Sequence, residues 1–246
     1  MRLVLAGLIV AALSVPGCVT YEYEHEFWLK VDGSGRVFVT GQPWLWNAFK
    51  DLPTTASDDS AARAAAQGVF ERSGLRVRRV TMTRRQGRPY LFVAADFDDF
   101  SRLSGTPAFP DLDARLVRDG ERLRLEGTWR HARIPSGVQD ASGLMAVRFH
   151  LPSKVYEHKN AANGVERGNI VAWRQDLSDA LKGQPLVFGA LMDQRSILWS
   201  TVGLFATAIL LALATLGTGL FFAFRRGRGA PVAATSSASP ESRNRT

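Results

Sequence analysis

Residues 196–224 read SILWSTVGLFATAILLALATLGTGLFFAF, with no Asp, Glu, Lys, Arg or His between Arg195 and Arg225. As a helix rising ~1.5 Å per residue, the stretch would extend ~43 Å. A bilayer's hydrocarbon core is ~30 Å thick and needs roughly 20 apolar residues to cross. So long an uninterrupted apolar run points to a membrane span rather than to a buried soluble helix. Trp199 near one end, and Phe221, Phe222 and Phe224 near the other, suit the two interfaces. Arg225, Arg226 and Arg228 follow at once, and a short basic flank marks the cytoplasmic side. These arginines are the topology anchors. They set the C-terminus inside and the residues before Arg195 outside the cytoplasm.

The start of the chain agrees with that orientation. Arg2 is a short positive region, and Leu3 to Val15 is apolar over the length of a signal peptide. Val15-Pro16-Gly17-Cys18 resembles the bacterial lipobox, with Pro16 where Ala, Ser or Thr is usual. The resemblance implies cleavage before Cys18 and thioether lipidation of its sulfur. Cys18 is the only cysteine, which excludes an internal disulfide and a multi-cysteine metal site. The expected organisation is a signal peptide at 1–17, an extracytoplasmic domain at 18–195, a transmembrane helix at 196–224 and a disordered basic cytoplasmic tail at 225–246.

Both ends of the domain are tied closely to their anchors. The first strand candidate begins near Glu22 and the last ends near Leu191. At ~3.5 Å per extended residue, both ends should lie within ~20 Å of one membrane surface. A helical span belongs to the cytoplasmic (inner) membrane, not to the outer-membrane barrel type. The formal charge of +8 overstates the domain's basicity. The tail carries five arginines against Glu241, a net +4, and Arg2 belongs to the signal, which leaves +3 for the domain. That balance argues against nucleic acid as a partner and fits mild attraction to anionic lipid headgroups.

Within the domain, Tyr21 to Lys30 and Arg36 to Thr40 read as strands around the turn Asp32-Gly33-Ser34-Gly35. Pro43-Trp44-Leu45-Trp46-Asn47-Ala48-Phe49-Lys50 follows. It reads as a short helix packed on the core, or as an aromatic loop at a bilayer interface or ligand mouth built on Trp44, Trp46 and Phe49. Ser57, Asp58 and Asp59 offer an N-cap to an amphipathic helix over 60–72, with Ala62, Ala65, Ala66, Val69 and Phe70 on one face. Further strands are expected over 75–84, 90–97, 112–117, 123–129, 144–151, 168–176 and 185–191, with a hairpin at Asp119-Gly120. Asp96, Asp98 and Asp99 read as a solvated turn and helix cap rather than a calcium loop. Asp111 and Asp113 form an acidic pair of common spacing. The class is α+β: a mostly antiparallel β-sheet packed with one main amphipathic helix, plus one C-terminal transmembrane helix.

This order of elements resembles the LppM-type bacterial lipoprotein domain. The residues that carry the resemblance are Phe149-His150-Leu151-Pro152, Asn163-Gly164 and Asn169-Ile170-Val171-Ala172-Trp173, with Arg78-Arg79-Val80 and Phe92-Val93-Ala94 earlier. The stretch 41–56 with its Trp pair departs from the family pattern. The resemblance implies an envelope lipoprotein with a lipid-handling sheet-and-helix fold, and it brings no catalytic residues.

No chemical motif competes with that reading. His25, His131, His150 and His158 lack metalloprotease spacing, and neither a Gly-x-Ser-x-Gly elbow nor a phosphate loop is present. No catalytic residues, metal ligands or cofactor are expected. Two functions stay open, ahead of an envelope hydrolase. One is a non-catalytic module that binds lipid or a lipid-linked envelope component. The other is a protein-interaction or structural module of a membrane complex. They differ in whether Val93, Leu125, Val147, Phe149, Val171, Trp173 and Val187 on the inner face leave a cavity or fill it.

Overall fold

The computed structural model describes residues 21–53, 58–132, 141–162, 164–166, 169–194 and 197–227. The signal, Cys18, Arg228 and the tail lie outside the described residues.

Strand β1 (Tyr23–Leu29) alternates strictly, burying Tyr23, His25, Phe27 and Leu29 while Glu24, Glu26 and Trp28 face the other way. It returns antiparallel as β2 (Gly35–Gly41), with Phe27 opposite Val37. In the turn, Asp32 accepts the Ser34 N–H at 2.9 Å and Gly33 takes a φ of +84°. Helix α1 (Pro43–Lys50) starts on a proline and ends on Asp51 at φ 50°. Helix α2 (Asp59–Arg72) is capped by Asp58, whose carboxylate accepts from Ser60 and Ala61 N–H at 2.9 Å each. It buries Ala62, Ala66, Val69 and Phe70.

The hairpin β3 (Arg76–Arg85) and β4 (Arg88–Phe97) follows, then a 3-10 turn (Phe100–Arg102). Next come β5 (Leu112–Asp119), β6 (Arg122–Trp129), β7 (Leu144–His150), β8 (Val155–Lys159), β9 (Val165–Glu166) and β10 (Ile170–Asp176). Short helix α3 (Leu177–Leu181) and strand β11 (Leu186–Asp193) complete the domain.

The strands form two sheets, not one. The larger runs β3-β4-β2-β1-β7-β10-β9 and the smaller β5-β6-β11-β8. Among the named strands only β1 and β7 pair in parallel; the other pairings are antiparallel. The chain passes between the sheets repeatedly, and the last crossing is made by α3, whose buried Leu177, Ala180 and Leu181 separate β10 from β11. The mostly antiparallel α+β class therefore holds, with α2 as the main helix of the domain.

One core serves both sheets, and large side chains fill it. Phe149 of β7 lies 5.5 Å from Phe188 of β11 and 6.0 Å from Trp173 of β10, centroid to centroid. Six of the seven inner-face positions expected from the sequence are fully buried. Val187 is the exception: it is half-buried, and Phe188 points inward in its place. Phe188 needs a neighbour without a side chain. A Cβ on Gly127, its cross-strand partner, would sit 2.4 Å from the Phe188 ring. Gly127→Ala should then cost about 1–3 kcal/mol by overpacking. Chemical unfolding checks this, and a neutral result would mean that Phe188 has room to retreat.

Helix α4 (Ile197–Gly227) is a separate compact unit. Its stretch Thr201–Arg225 has a mean hydropathy of 2.1 and is long and apolar enough to cross a membrane. Thr207, Thr215 and Thr218 each return their hydroxyl to the carbonyl four residues earlier at 2.8 Å. Polar groups satisfied within their own helix suit a solvent that offers no hydrogen bonds. Arg225 and Arg226 lie at its C-terminal end.

Candidate ligand cavity

The open end of the β5–β6 hairpin brings Asp111 and His131 together. Leu112 pairs with Trp129, so the residues just beyond each are neighbours. His131 Nδ1 lies 2.9 Å from Asp111 Oδ2, while Asp111 Oδ1 accepts the Ala132 N–H at 3.3 Å. A carboxylate that accepts at both oxygens fixes Nδ1 as the protonated nitrogen. The other ring nitrogen, Nε2, points away from Asp111. That nitrogen is buried and has no partner among the described residues. The same is true of Tyr23 Oη and His25 Nε2.

The ring of Phe49 links these groups, with centroids 4.8 Å from Tyr23, 4.9 Å from Trp129 and 5.0 Å from His131. Its chain neighbour Lys50 ends α1 but turns inward. Lys50 Nζ donates to the Ala108 carbonyl and sits 4.8 Å from the Phe109 centroid, with Trp46 and Phe70 each at 5.9 Å. Burial lowers the Lys50 pKa to about 7, against a smaller opposing pull from Asp111. Burial also drives the His25 pKa down, reinforced by Lys50, and the Tyr23 pKa up, reinforced by Asp111. At neutral pH, His25 and Tyr23 are uncharged.

Beside this cluster lies a cavity of about 630 Å3, between α1, α2 and the start of β5. Phe49, Ala65 and Val69 form apolar wall, and Lys50, Asp111 and His131 form polar wall. Apolar walls with a few convergent polar groups are the usual form of a small-molecule site.

The structure divides the aromatic trio of α1. Trp46 and Phe49 are core residues, and the Trp46 indole N–H donates to the Gly41 carbonyl at 3.1 Å. Neither can insert into a bilayer, which corrects that part of the interfacial reading. Phe49 does line the cavity, and Trp44 stays 38% exposed with its N–H on Gln42 Oε1. Of the acidic residues at the end of β4, Asp99 serves as the expected cap, accepting the Ser101 N–H at 2.9 Å, whereas Asp96 is not a solvated turn residue: it is buried in the strand and holds Arg36 and Arg78. Asp113 is exposed while Asp111 is buried, so the acidic pair is not one site. Among the described residues no cluster suits a metal ion.

Sequence reasoning passed over Lys50, Asp111, His131 and His25. Only His25 carried a signal, being in phase with Tyr23, Phe27 and Leu29 on β1.

No family model and no curated protein matches the chain. Among solved structures, the folded domain of LppM from Mycobacterium tuberculosis, determined by NMR, is similar at 16% identity and a TM-score of 0.40. The match covers 71% of this chain and 90% of that one. It is the domain type that the sequence resembles.

Proposed function

We propose that this chain is a membrane-tethered, non-catalytic module that binds a lipid or a lipid-linked envelope component. Helix α4 anchors it in the inner membrane, with Arg225, Arg226 and Arg228 on the cytoplasmic side, and a lipid on Cys18 provides a second anchor outside. The observation that carries the reading is the 630 Å3 cavity, whose apolar wall ends on a buried His131 whose Nε2 has no partner among the described residues. A buried polar atom without a partner costs about 1–3 kcal/mol. A ligand that combines an apolar body with a polar head would satisfy both surfaces.

Native mass spectrometry of the full chain, released from detergent after incubation with membrane-lipid extract, tests this. A stoichiometric lipid adduct is expected, and Ala65→Trp, which fills the cavity from α2, should abolish it. A clean mass across lipid classes, or an adduct indifferent to Ala65→Trp, would overturn the cavity reading. The second reading, a protein-interaction module, would then lead. It is favoured by the filled core between the sheets and by β3, a ten-residue strand at the edge of the larger sheet.

A further inference from the structure

With Trp46 and Phe49 in the core, Trp44 is the one residue of that trio left exposed. A larger group of accessible rings lies on the outer face of the seven-stranded sheet. Helices α1 and α2 pack on the opposite face, over β3 and β4. On the outer face Trp28 is 47% exposed and stacks on His150 at 3.8 Å, while half-buried Phe38 stacks on Phe92 at 5.8 Å. These rings cross four adjacent strands, β4, β2, β1 and β7.

The charges on this face are not balanced. Across β3, β4, β2 and β1 and their ends, each described carboxylate on this face has a partner. Asp96 holds Arg36 at 2.8 Å and Arg78 at 2.6 Å, and Asp98 holds Arg76 at 2.8 Å. Glu22 meets Arg88 at 3.6 Å, Glu24 meets Arg148 at 3.5 Å, and Glu26 meets His150 at 2.6 Å. The surplus is cationic. Arg79 has no partner among the described residues, and Arg85 lies over the Tyr90 ring at 4.9 Å. A bulge between Val77 and Arg79 produces the surplus. Strict alternation from Arg76 would turn Arg79 to the helix side. The extra residue keeps Arg79 on the outer face, opposite Ala94, with Arg78 still reaching Asp96. Between the rings and Arg36 and Arg78 the face is concave, with a groove of about 880 Å3.

We propose that this outer face docks on anionic lipid headgroups, with Arg79 and Arg85 on phosphates and Trp28 at the headgroup boundary. Charge complementarity selects an anionic surface. Trp favours the interfacial zone. A helix apolar enough to span a bilayer lies in the same chain, so the local lipid concentration is high without any diffusional encounter. The docking rests on different residues from the cavity, so either reading can fail alone.

The test uses the full chain in nanodiscs with Cys18→Ser and one reporter cysteine. Thr83→Cys on the outer face of β3 is compared with Glu157→Cys on exposed β8 of the other sheet. Each carries a fluorophore that transfers energy to a headgroup-labelled lipid. With 30% phosphatidylglycerol in phosphatidylcholine, transfer from position 83 should exceed that in pure phosphatidylcholine, and position 157 should not respond. Each arginine neutralised should weaken docking roughly fivefold, following the ~1 kcal/mol expected per basic residue near an anionic surface. Arg79→Gln with Arg85→Gln should lower the transfer, high salt should do the same, and Arg79→Lys with Arg85→Lys should retain it. Lack of response at 83, an equal response at 157, or transfer indifferent to the glutamine pair would overturn the proposal.

Discussion

Phe149→Ala should destabilise the domain by about 4 kcal/mol, within the 3–5 kcal/mol typical of a buried Phe-to-Ala change. Phe149 is fully buried where the two sheets meet. Its ring stacks on Phe27 at 4.9 Å and 16°, and meets Phe100 and Phe188 edge-on or tilted at 5.5 Å each. Phe27 belongs to β1, the parallel neighbour of β7, Phe100 to the 3-10 turn, and Phe188 to the smaller sheet. Truncation removes transfer energy and several aromatic pairs at once, and rings held by separate elements cannot all move in. Phe149→Leu, closer in volume, should cost under about 1.5 kcal/mol. Phe92→Ala is the comparison on the open face, where the ring is half-buried, and should cost far less. Urea unfolding of all three measures the differences. Equal losses at Phe149 and Phe92 would mean that the junction of the sheets is not where the stability resides.

That junction was only half legible in the sequence. The local signals were clear: Gly33 and Gly120 at their turns, Asp58 at the start of α2, and the apolar run of α4 each report a local rule, and each element formed where its rule placed it. Period-two alternation tells which residues share a face but not which strand lies beside which. Parallel pairing of β1 with β7, and the passage of β11 to a second sheet, depend on long-range packing that no local pattern encodes. In β11 the run Leu186-Val187-Phe188 is apolar at every position, so alternation cannot choose a face; Phe188 is inward because Gly127 leaves space for it. In α1 the helical period did carry the answer. Trp46 and Phe49 are three residues apart on the buried face, while Trp44 is out of phase with them. Lys50 gave no such hint. A lysine in the last turn of a helix normally offers its charge to solvent and the helix C-terminus, and only the aromatic cage around Ala108 shows that it does not.

Lys50→Met should raise stability at neutral pH and flatten its rise toward alkaline pH. The Lys50 amine has a pKa of about 7 in the folded domain, against an ordinary value of 10.5. Between those values the unfolded chain binds a proton that the folded chain does not, so unfolding becomes less favourable as pH rises through the window. Below about 7 both states are protonated and the penalty is fully present; above 10.5 both are neutral and it vanishes. At ~1.4 kcal/mol per pH unit, the wild type should gain about 3 kcal/mol relative to the variant from pH 7 to 9.5. The neighbours do not reverse this sign. His25 has its pKa pushed down and Tyr23 has its pKa pushed up, so neither titrates in the folded domain within that range. The variant forfeits the bond from the amine to the Ala108 carbonyl, which costs about 1–2 kcal/mol. Methionine keeps the unbranched stem against Trp46, Phe70 and Phe109, and removing a buried charge that lacks a close counter-ion is commonly stabilising. The net expectation at pH 7 is a gain of about 2 kcal/mol, read from urea unfolding at half-unit pH steps. Parallel curves for the two proteins would show that the amine keeps an ordinary pKa and reaches water, and the cavity wall beside His131 would then be a hydrated, charged surface poorly suited to an apolar ligand.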